Sequence, residues 1–355
     1  MTIEVGVVEG FFGRPWDEAA RLGYAQFLQA NGCSYYIYAP KADRNLRRQW
    51  RDPLPLEQLA KLSGLSARFR ACGLKFGVGL TPFELHLDYS GHAKLALRNK
   101  VRQLNQIGVD ILCVLFDDMH GAVPGLAQFQ ARVVADISDW TAATKIVFCP
   151  TYYSDDLVLG RVFGTPPENY LEDLGEALDP VIDVFWTGQN VCSSRYPDQH
   201  LEDVARRLGR KPVIWDNHIA NDARERCSHL YLDALSDGWS LNSALVAGLA
   251  INPMNQPALS RIPVAACAAK FAGAVSGSGK TDVGSLARSI CGQELARELT
   301  NCLDLLQNKG LSTLDVAQRA DLLATFNCYA PDSCAEEVCS WLRGEFEFDP
   351  QCLTD

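Results

Sequence analysis

Two neighbouring carboxylates, Asp117 and Asp118, hold the clearest chemical potential in this sequence. They follow the apolar run Val109-Asp110-Ile111-Leu112-Cys113-Val114-Leu115-Phe116 and precede Met119-His120. Like charges this close push one pKa upward, so one group holds a proton while the other stays ionised. Acid/base catalysis needs that separation of roles. A solvated Asp-Asp turn or a helix N-cap uses the same residue types. The pair therefore gains weight only from its surroundings.

Similar clusters punctuate the chain at the ends of other apolar runs. They are Glu9-Gly10-Phe11-Phe12-Gly13-Arg14-Pro15-Trp16, Ala39-Pro40-Lys41-Ala42-Asp43, Thr81-Pro82-Phe83-Glu84 and Cys149-Pro150-Thr151-Tyr152-Tyr153. Trp186-Thr187-Gly188, Trp215-Asp216-Asn217-His218-Ile219-Ala220-Asn221-Asp222 and Asn252-Pro253-Met254-Asn255 complete the set. Trp186, Trp215, Tyr153 and Phe11 offer flat apolar faces for a pyranose ring. The amides, the carboxylates and Lys41 suit hydroxyls, so the set suggests sugar recognition. Each member also has a plain structural reading: core for Trp186 and Trp215, a turn and cap for Asn217 and Asp222, a solvated charge for Lys41. Glu9 is read equally well as support for a strand end.

Other chemistries find little support. No dinucleotide fingerprint follows the first strand, and no His/Cys/Asp cluster has metal-ligand spacing. There is no G-x-S-x-G nucleophile elbow. Cys328, Cys334, Cys339 and Cys352 lack paired C-x-x-C spacing, so a zinc site is not expected there. Ser276-Gly277-Ser278-Gly279-Lys280-Thr281 imitates a phosphate loop. Ala274 stands where the first glycine belongs, however, and the preceding residues read as helix, so the segment is expected to link two helices. No metal and no cofactor is expected.

The elements that must position these residues follow a repeating order. Candidate strands are Ile3–Val8, Tyr35–Tyr38, Lys75–Leu80, Asp110–Leu115, Lys145–Phe148, Val181–Phe185, Pro212–Ile214 and Ala244–Ile251. Helical periodicity appears between them, as in Trp16–Ala30, Leu56–Ala71, Lys94–Gln106 and Leu201–Leu208. Strands alternating with helices indicate parallel β-α units, and eight such units fit a (β/α)8 TIM barrel over residues 1–260. A doubly wound open sheet is the alternative. Residues 261–355 are Ala- and Leu-rich at helical spacing, without a convincing strand. They are expected to form a helical C-terminal domain or cap, with helices over Val264–Ala274, Val283–Gln307, Thr313–Thr325 and Cys334–Leu342.

Composition narrows the partners. The 355 residues are 47% apolar and 21% charged, enough for a large core. A net charge of −10 argues against nucleic acid or an anionic membrane as partner. No apolar stretch is long enough for a membrane span, and the first residues lack a signal-peptide pattern. Thirteen cysteines, an odd number, fit reduced thiols and a cytoplasmic location. The sequence does not speak to oligomeric state.

Taken in order over about residues 3–258, these motifs resemble the catalytic domain of glycoside hydrolase family 84. That family comprises O-GlcNAcases and bacterial β-N-acetylglucosaminidases. The resemblance rests on Val7-Val8-Glu9-Gly10-Phe11-Phe12-Gly13-Arg14-Pro15-Trp16, Tyr38-Ala39-Pro40-Lys41, Phe116-Asp117-Asp118, Cys149-Pro150-Thr151, Trp186-Thr187-Gly188, Trp215-Asp216-Asn217 and Asn252-Pro253. It departs at Phe12, where Tyr is common, at Ala42-Asp43 in place of Asp-Asp, and in the loop Thr81–His86.

The resemblance implies removal of terminal β-linked N-acetylglucosamine, with retention, through an oxazoline formed by the substrate's own acetamido group. Asp117 would be ionised and orient the acetamido N–H. Asp118 would be the general acid, kept protonated by the neighbouring charge and by burial, and then the base for water. Tyr153 would hydrogen-bond near the acetamido oxygen, and Cys149 and Trp215 would line the methyl pocket. The Gly10 carbonyl, Lys41, Asn217, Asp222 and Asn252 would hold hydroxyls or the catalytic carboxylates. Asp222, at the non-reducing end, would make cleavage exo-acting. The substrate would be a glycoprotein, a glycopeptide or an amino-sugar oligosaccharide. An endo-acting hyaluronidase-like enzyme, or a non-catalytic amino-sugar-binding protein on the same fold, is the alternative.

Overall fold

A computed structural model describes residues 3–235, 238–271 and 282–354. The phosphate-loop lookalike at 276–281 lies outside the described residues. Eight parallel strands close into a barrel in chain order. They are β1 (Glu4–Glu9), β2 (Tyr35–Tyr38), β3 (Lys75–Leu80), β4 (Ile111–Leu115), β5 (Lys145–Cys149), β6 (Asp183–Trp186), β7 (Val213–Asp216) and β8 (Gly248–Ile251). Val7 pairs with Tyr36 of β2 on one edge and with Ile251 of β8 on the other, which completes the ring. The strands are buried along nearly their whole length. Strands covered on both faces need no polar alternation, and this is why they stand out in the sequence as continuous apolar runs.

Helices α1 (Glu18–Ala30), α2 (Leu56–Ala71), α3 (Gly91–Ile107), α4 (Leu126–Trp140), α5 (Leu157–Phe163), α6 (Tyr170–Ala177), α7 (Asp198–Leu208) and α8 (Pro257–Phe271) follow the strands. Their ends carry local signals. Asp17 caps α1 by accepting the N–H of Ala20 at 2.7 Å, and α3 stops at Gly108, whose φ of +77° favours a residue without Cβ. The N-terminal end of the barrel holds an ion cluster: Lys75 lies 2.5 Å from Glu4, and Lys145 lies 2.7 Å from Asp183. The other end, where the loops follow the strands, is free for chemistry.

Several expectations shift; the helix expected over Val264–Ala274 already begins at Pro257, and its expected end at Ala274 lies outside the described residues. The strand expected over Val181–Phe185 sits at Asp183–Trp186, because Asp183 pairs with Val147 and leaves Val181 76% exposed. The strand expected over Ala244–Ile251 begins only at Gly248. Its first residues form a short turn over Ser243–Leu245, capped by Asn242 accepting the Ala244 N–H at 3.1 Å. The single helix expected over Val283–Gln307 divides into α9 (Val283–Cys291), α10 (Gln293–Asn301) and a wider turn at Asp304–Lys309. The break falls at Gly292, with φ +81°, where the helix cannot continue.

Helices α11 (Val316–Asn327) and α12 (Ser333–Leu342) complete the C-terminal region. Helix α8 spans residue 260 and serves both cores. Val264, Cys267 and Ala268 belong to the barrel core, while Leu259 and Ile262 pack with Leu299, Val338 and Trp341. Glu337 of α12 accepts the N–H groups of Ala258 and Leu259, both at 2.8 Å, and so caps the start of α8.

Candidate active site

One cavity at the C-terminal mouth of the barrel gathers the ten residues to which the resemblance gives a role. Gly10, Lys41, Asp117, Asp118, Cys149, Tyr153, Trp215, Asn217, Asp222 and Asn252 all line it. They sit at the ends of six different strands or on the loops that follow them, which a closed parallel barrel brings to one rim.

Asp117 and Asp118 leave β4 with side chains only 8% and 7% exposed. Asp118 has φ +56°, a left-handed conformation uncommon for any residue with a Cβ. Backbone strain of this kind is found where a side chain must be aimed. Lys41, at the end of β2, is buried and bonds both carboxylates: Asp117 closely, Asp118 at 3.2 Å. Burial pulls Lys41 downward, but the two aspartates outweigh it and hold the ammonium raised. Burial pushes Asp117 up, Lys41 opposes, and the Asp118 charge adds to the push. The Tyr153 hydroxyl lies 3.4 Å from Asp118 Oδ1, and burial followed by the aspartate charge raises that phenol.

The far wall is a chain of amides. Trp215 Nε1 donates to Asn217 Oδ1 at 2.9 Å, as does Asn252 Nδ2 at 2.9 Å. Asn217 Nδ2 in turn donates to the Val191 carbonyl at 2.9 Å, and Asn252 Oδ1 accepts the Gly10 N–H at 3.1 Å. The indole is thereby fixed, and Gly10 must be glycine: a Cβ there would lie 2.2 Å from Trp215. Asp222 accepts the Phe12 N–H at 2.7 Å, and burial raises its carboxyl against that hydrogen bond. Cys149 is buried beside Asp117, and burial lifts its thiol well above the usual range.

Some rim aromatics play other parts. Phe11 packs on Trp16 inside the core, with ring centroids 5.8 Å apart. Trp186 is buried and donates to His200 Nε2 at 3.0 Å. Neither lines the cavity that holds Asp117 and Asp118. Glu9 is held by two hydrogen bonds from Arg21, at 2.8 and 2.7 Å, and by Tyr36, so it braces the end of β1.

Sequence reasoning missed Val191, Cys192, Ala223, Cys352 and Thr354, which also line the cavity. Cys352 packs with Phe12 and Ala223, Phe348 joins them, and Arg224 lies over the Phe348 ring at 4.5 Å. Thr354 reaches the Tyr153 side chain. No local motif marks this segment, because its role comes only from where the helical region leads it. The space left is about 60 Å³, small beside the ~300–1,000 Å³ of ligand pockets. Among the described residues no group of three or more His, Cys, Asp or Glu is placed to hold a metal ion. No described helix is long and apolar enough to cross a membrane.

The model of a family described as beta-N-acetylglucosaminidase matches residues 5–300. The chain belongs to the β-N-acetylglucosaminidase family. It is similar to the proteins named Protein O-GlcNAcase of Mus musculus and Rattus norvegicus, each 33% identical over 227 residues. Those matches cover 61% of this chain and 24% of the relatives, so this chain spans about a quarter of their length. Among solved structures it resembles a mutant of Thermobaculum terrenum O-GlcNAc hydrolase, with TM-score 0.71 and 27% identity, over 96% of this chain and 74% of that one.

Proposed function

We propose that this member of the β-N-acetylglucosaminidase family is a retaining exo-β-N-acetylglucosaminidase that uses the substrate's own acetamido group as nucleophile. The observation that carries the reading is the carboxylate inventory of the pocket. Among the carboxylates of the described residues only Asp117, Asp118 and Asp222 line it, and Asp222 is engaged in accepting the Phe12 N–H. A conventional retaining glycosidase needs a separate carboxylate nucleophile opposite the acid; substrate-assisted enzymes do not.

In this mechanism Asp117 accepts the acetamido N–H and turns the carbonyl oxygen toward the anomeric carbon. That oxygen forms the new bond as the glycosidic bond breaks, and Asp118 gives its proton to the departing oxygen. Asp118 then takes a proton from water, which opens the oxazoline. The attack is intramolecular, so orientation supplies much of the acceleration. Tyr153 and Lys41 fix the two carboxylates while the Trp215–Asn217–Asn252 chain shapes the sugar wall. The small volume of the cavity, with Asp222 in its lining, favours exo over endo cleavage. A glycoprotein, a glycopeptide or an amino-sugar oligosaccharide is the substrate class. A cytoplasmic setting fits the cysteine-rich composition, and cell fractionation that finds the protein secreted would overturn that point.

Proton NMR of the first product tests the stereochemistry. The β-anomer of N-acetylglucosamine appears first if retention holds; initial release of the α-anomer contradicts the mechanism.

A further inference from the structure

The loop after β2 carries a charge pattern that the steps above do not use. Arg44-Asn45-Leu46-Arg47-Arg48-Gln49-Trp50-Arg51 holds four arginines and no carboxylate, on a chain whose net charge is −10. Arg44, Arg48 and Arg51 are exposed, and among the described residues none of the three has a carboxylate within salt-bridge distance. Asp43, which opens the loop, is occupied elsewhere. It accepts from the Tyr38 hydroxyl at 2.9 Å, from Gln58 Nε2 at 2.6 Å and from the Asn45 N–H at 3.0 Å. Exposed Asp52 and Glu84 flank the patch without pairing to it.

Aromatic rings hold the patch in shape. Arg48 lies 5.3 Å from the Phe83 ring centroid, and Arg51 lies 4.3 Å from that of Trp50. Trp50 is fully buried, and its Nε1 donates to the Phe83 carbonyl at 3.0 Å, which joins the loops after β2 and β3. The Thr81 N–H adds a second tie, to the Leu46 carbonyl at 2.8 Å. Buried Arg47 connects the patch with the catalytic cavity. It lies 5.0 Å from the Phe83 ring and 5.5 Å from the Phe12 ring, and Phe12 lines that cavity. A guanidinium laid over a ring is pre-organised and gives up little freedom when it binds a carboxylate.

We propose that this patch docks the group that carries the sugar, and that its occupant is an acidic polypeptide segment beside the glycosylated residue. Arg48 and Arg51 meet its carboxylates. Charge selects among the three substrate classes named above. An oligosaccharide built from N-acetylglucosamine alone is neutral and gains nothing from arginines. A glycoprotein or glycopeptide can place Asp or Glu where the patch lies, and forked pairing of guanidinium with carboxylate is the contact these groups make best. The chain as a whole is negative and repels an anionic segment, so a basic surface at the mouth decides where that segment settles. An extended chain advances about 3.3–3.6 Å per residue, so a carboxylate within about five residues of the sugar reaches Arg48 from the cavity. The proposal rests on the glycosidase reading and narrows the substrate class of that same site.

The test uses two synthetic peptides, each bearing one β-linked N-acetylglucosamine on a serine. They are identical except that the Glu residues flanking the sugar in one are Gln in the other. Their kcat/KM values are compared within the wild type, Arg48→Gln, Arg51→Gln and the double variant. The wild type should prefer the acidic peptide by roughly three- to tenfold at low salt, the worth of two exposed ion pairs. That preference should fade as salt approaches about 1 M. It should shrink in each single variant and vanish in the double one. Because the two peptides are compared within one enzyme, a general loss of activity cancels from the ratio. If the double variant does not fold, the salt series and a third peptide with Lys in place of Glu decide on the wild type alone, with rates expected to fall from acidic to neutral to basic. Equal kcat/KM for the acidic and neutral peptides in the wild type overturns the proposal, as does a preference that persists in the double variant. Faster cleavage of hyaluronan oligosaccharides than of either peptide assigns the patch to uronate carboxylates and overturns the polypeptide occupant. A wild type that releases no N-acetylglucosamine from an aryl glycoside overturns the functional reading instead. Fluorescence anisotropy of the labelled peptides then still decides the docking, with tighter binding of the acidic one expected and equal binding overturning it.

Discussion

At the scale of single residues, Asp117 and Asp118 share one lysine yet meet different surroundings. Tyr153 reaches Asp118, whereas Asp117 Oδ1 is buried without a hydrogen-bond partner. Their mutants should differ accordingly. Asp118→Asn is expected to lose roughly 10²–10⁴ in rate on poor leaving groups, the usual worth of a general acid. On an aryl glycoside whose phenol is already acidic, its first step should suffer far less. Asp117→Asn should slow both substrates, because the acetamido group must be oriented whatever departs. A leaving-group series on both mutants decides it; equal slopes contradict the assignment. These residues were legible because their motifs are contiguous: a strand, then the carboxylates. Arg47 was not legible. Its neighbours Phe12 and Phe83 lie 35 and 36 positions away, and nothing in Arg44-Asn45-Leu46-Arg47-Arg48 distinguishes a buried arginine from exposed ones.

At the scale of elements, the barrel strands were readable because burial on both faces writes itself as an apolar run. Their edges were not, since register depends on the neighbour: Asp183 starts β6 because Val147 is there to pair with it. Gly292 shows the opposite case, a local break hidden within a pattern that keeps helical period on both sides. The segment after α12 is the element the sequence concealed most fully. It crosses the mouth on Phe348 and Cys352 and brings Thr354 to Tyr153, where a sugar has to enter. Weakening its anchor should ease substrate entry. Phe348→Ala is expected to lower KM by about two- to fivefold, or roughly 0.4–1 kcal/mol, with kcat unchanged. Steady-state kinetics on an aryl β-N-acetylglucosaminide check this; a raised KM would mean that the segment helps to hold the sugar.

At the scale of the whole molecule, Glu337 ties the helical region to the last barrel helix by capping α8. Burial raises its carboxyl from an ordinary 4.5 to about 7, against the pull of the Ala258 and Leu259 N–H groups. The folded state therefore binds this proton more tightly than the unfolded chain. Its stabilisation is present below about pH 4.5 and is lost as pH rises through 7, up to about 3 kcal/mol. Against Glu337→Gln, which carries no such proton, the wild type should lose relative Tm between pH 5 and 8. A constant Tm difference across that range contradicts the linkage. The assembled pocket bears on the larger proposal: its two adjacent carboxylates share Lys41 and its third, Asp222, is held by the Phe12 N–H, and on that ground we assign the attack to the substrate's acetamido group. The most direct measurement compares kcat/KM for an aryl β-N-acetylglucosaminide with that for the aryl β-glucoside that lacks the acetamido group. The account predicts rapid hydrolysis of the first and barely detectable hydrolysis of the second; equal rates on the two would contradict it.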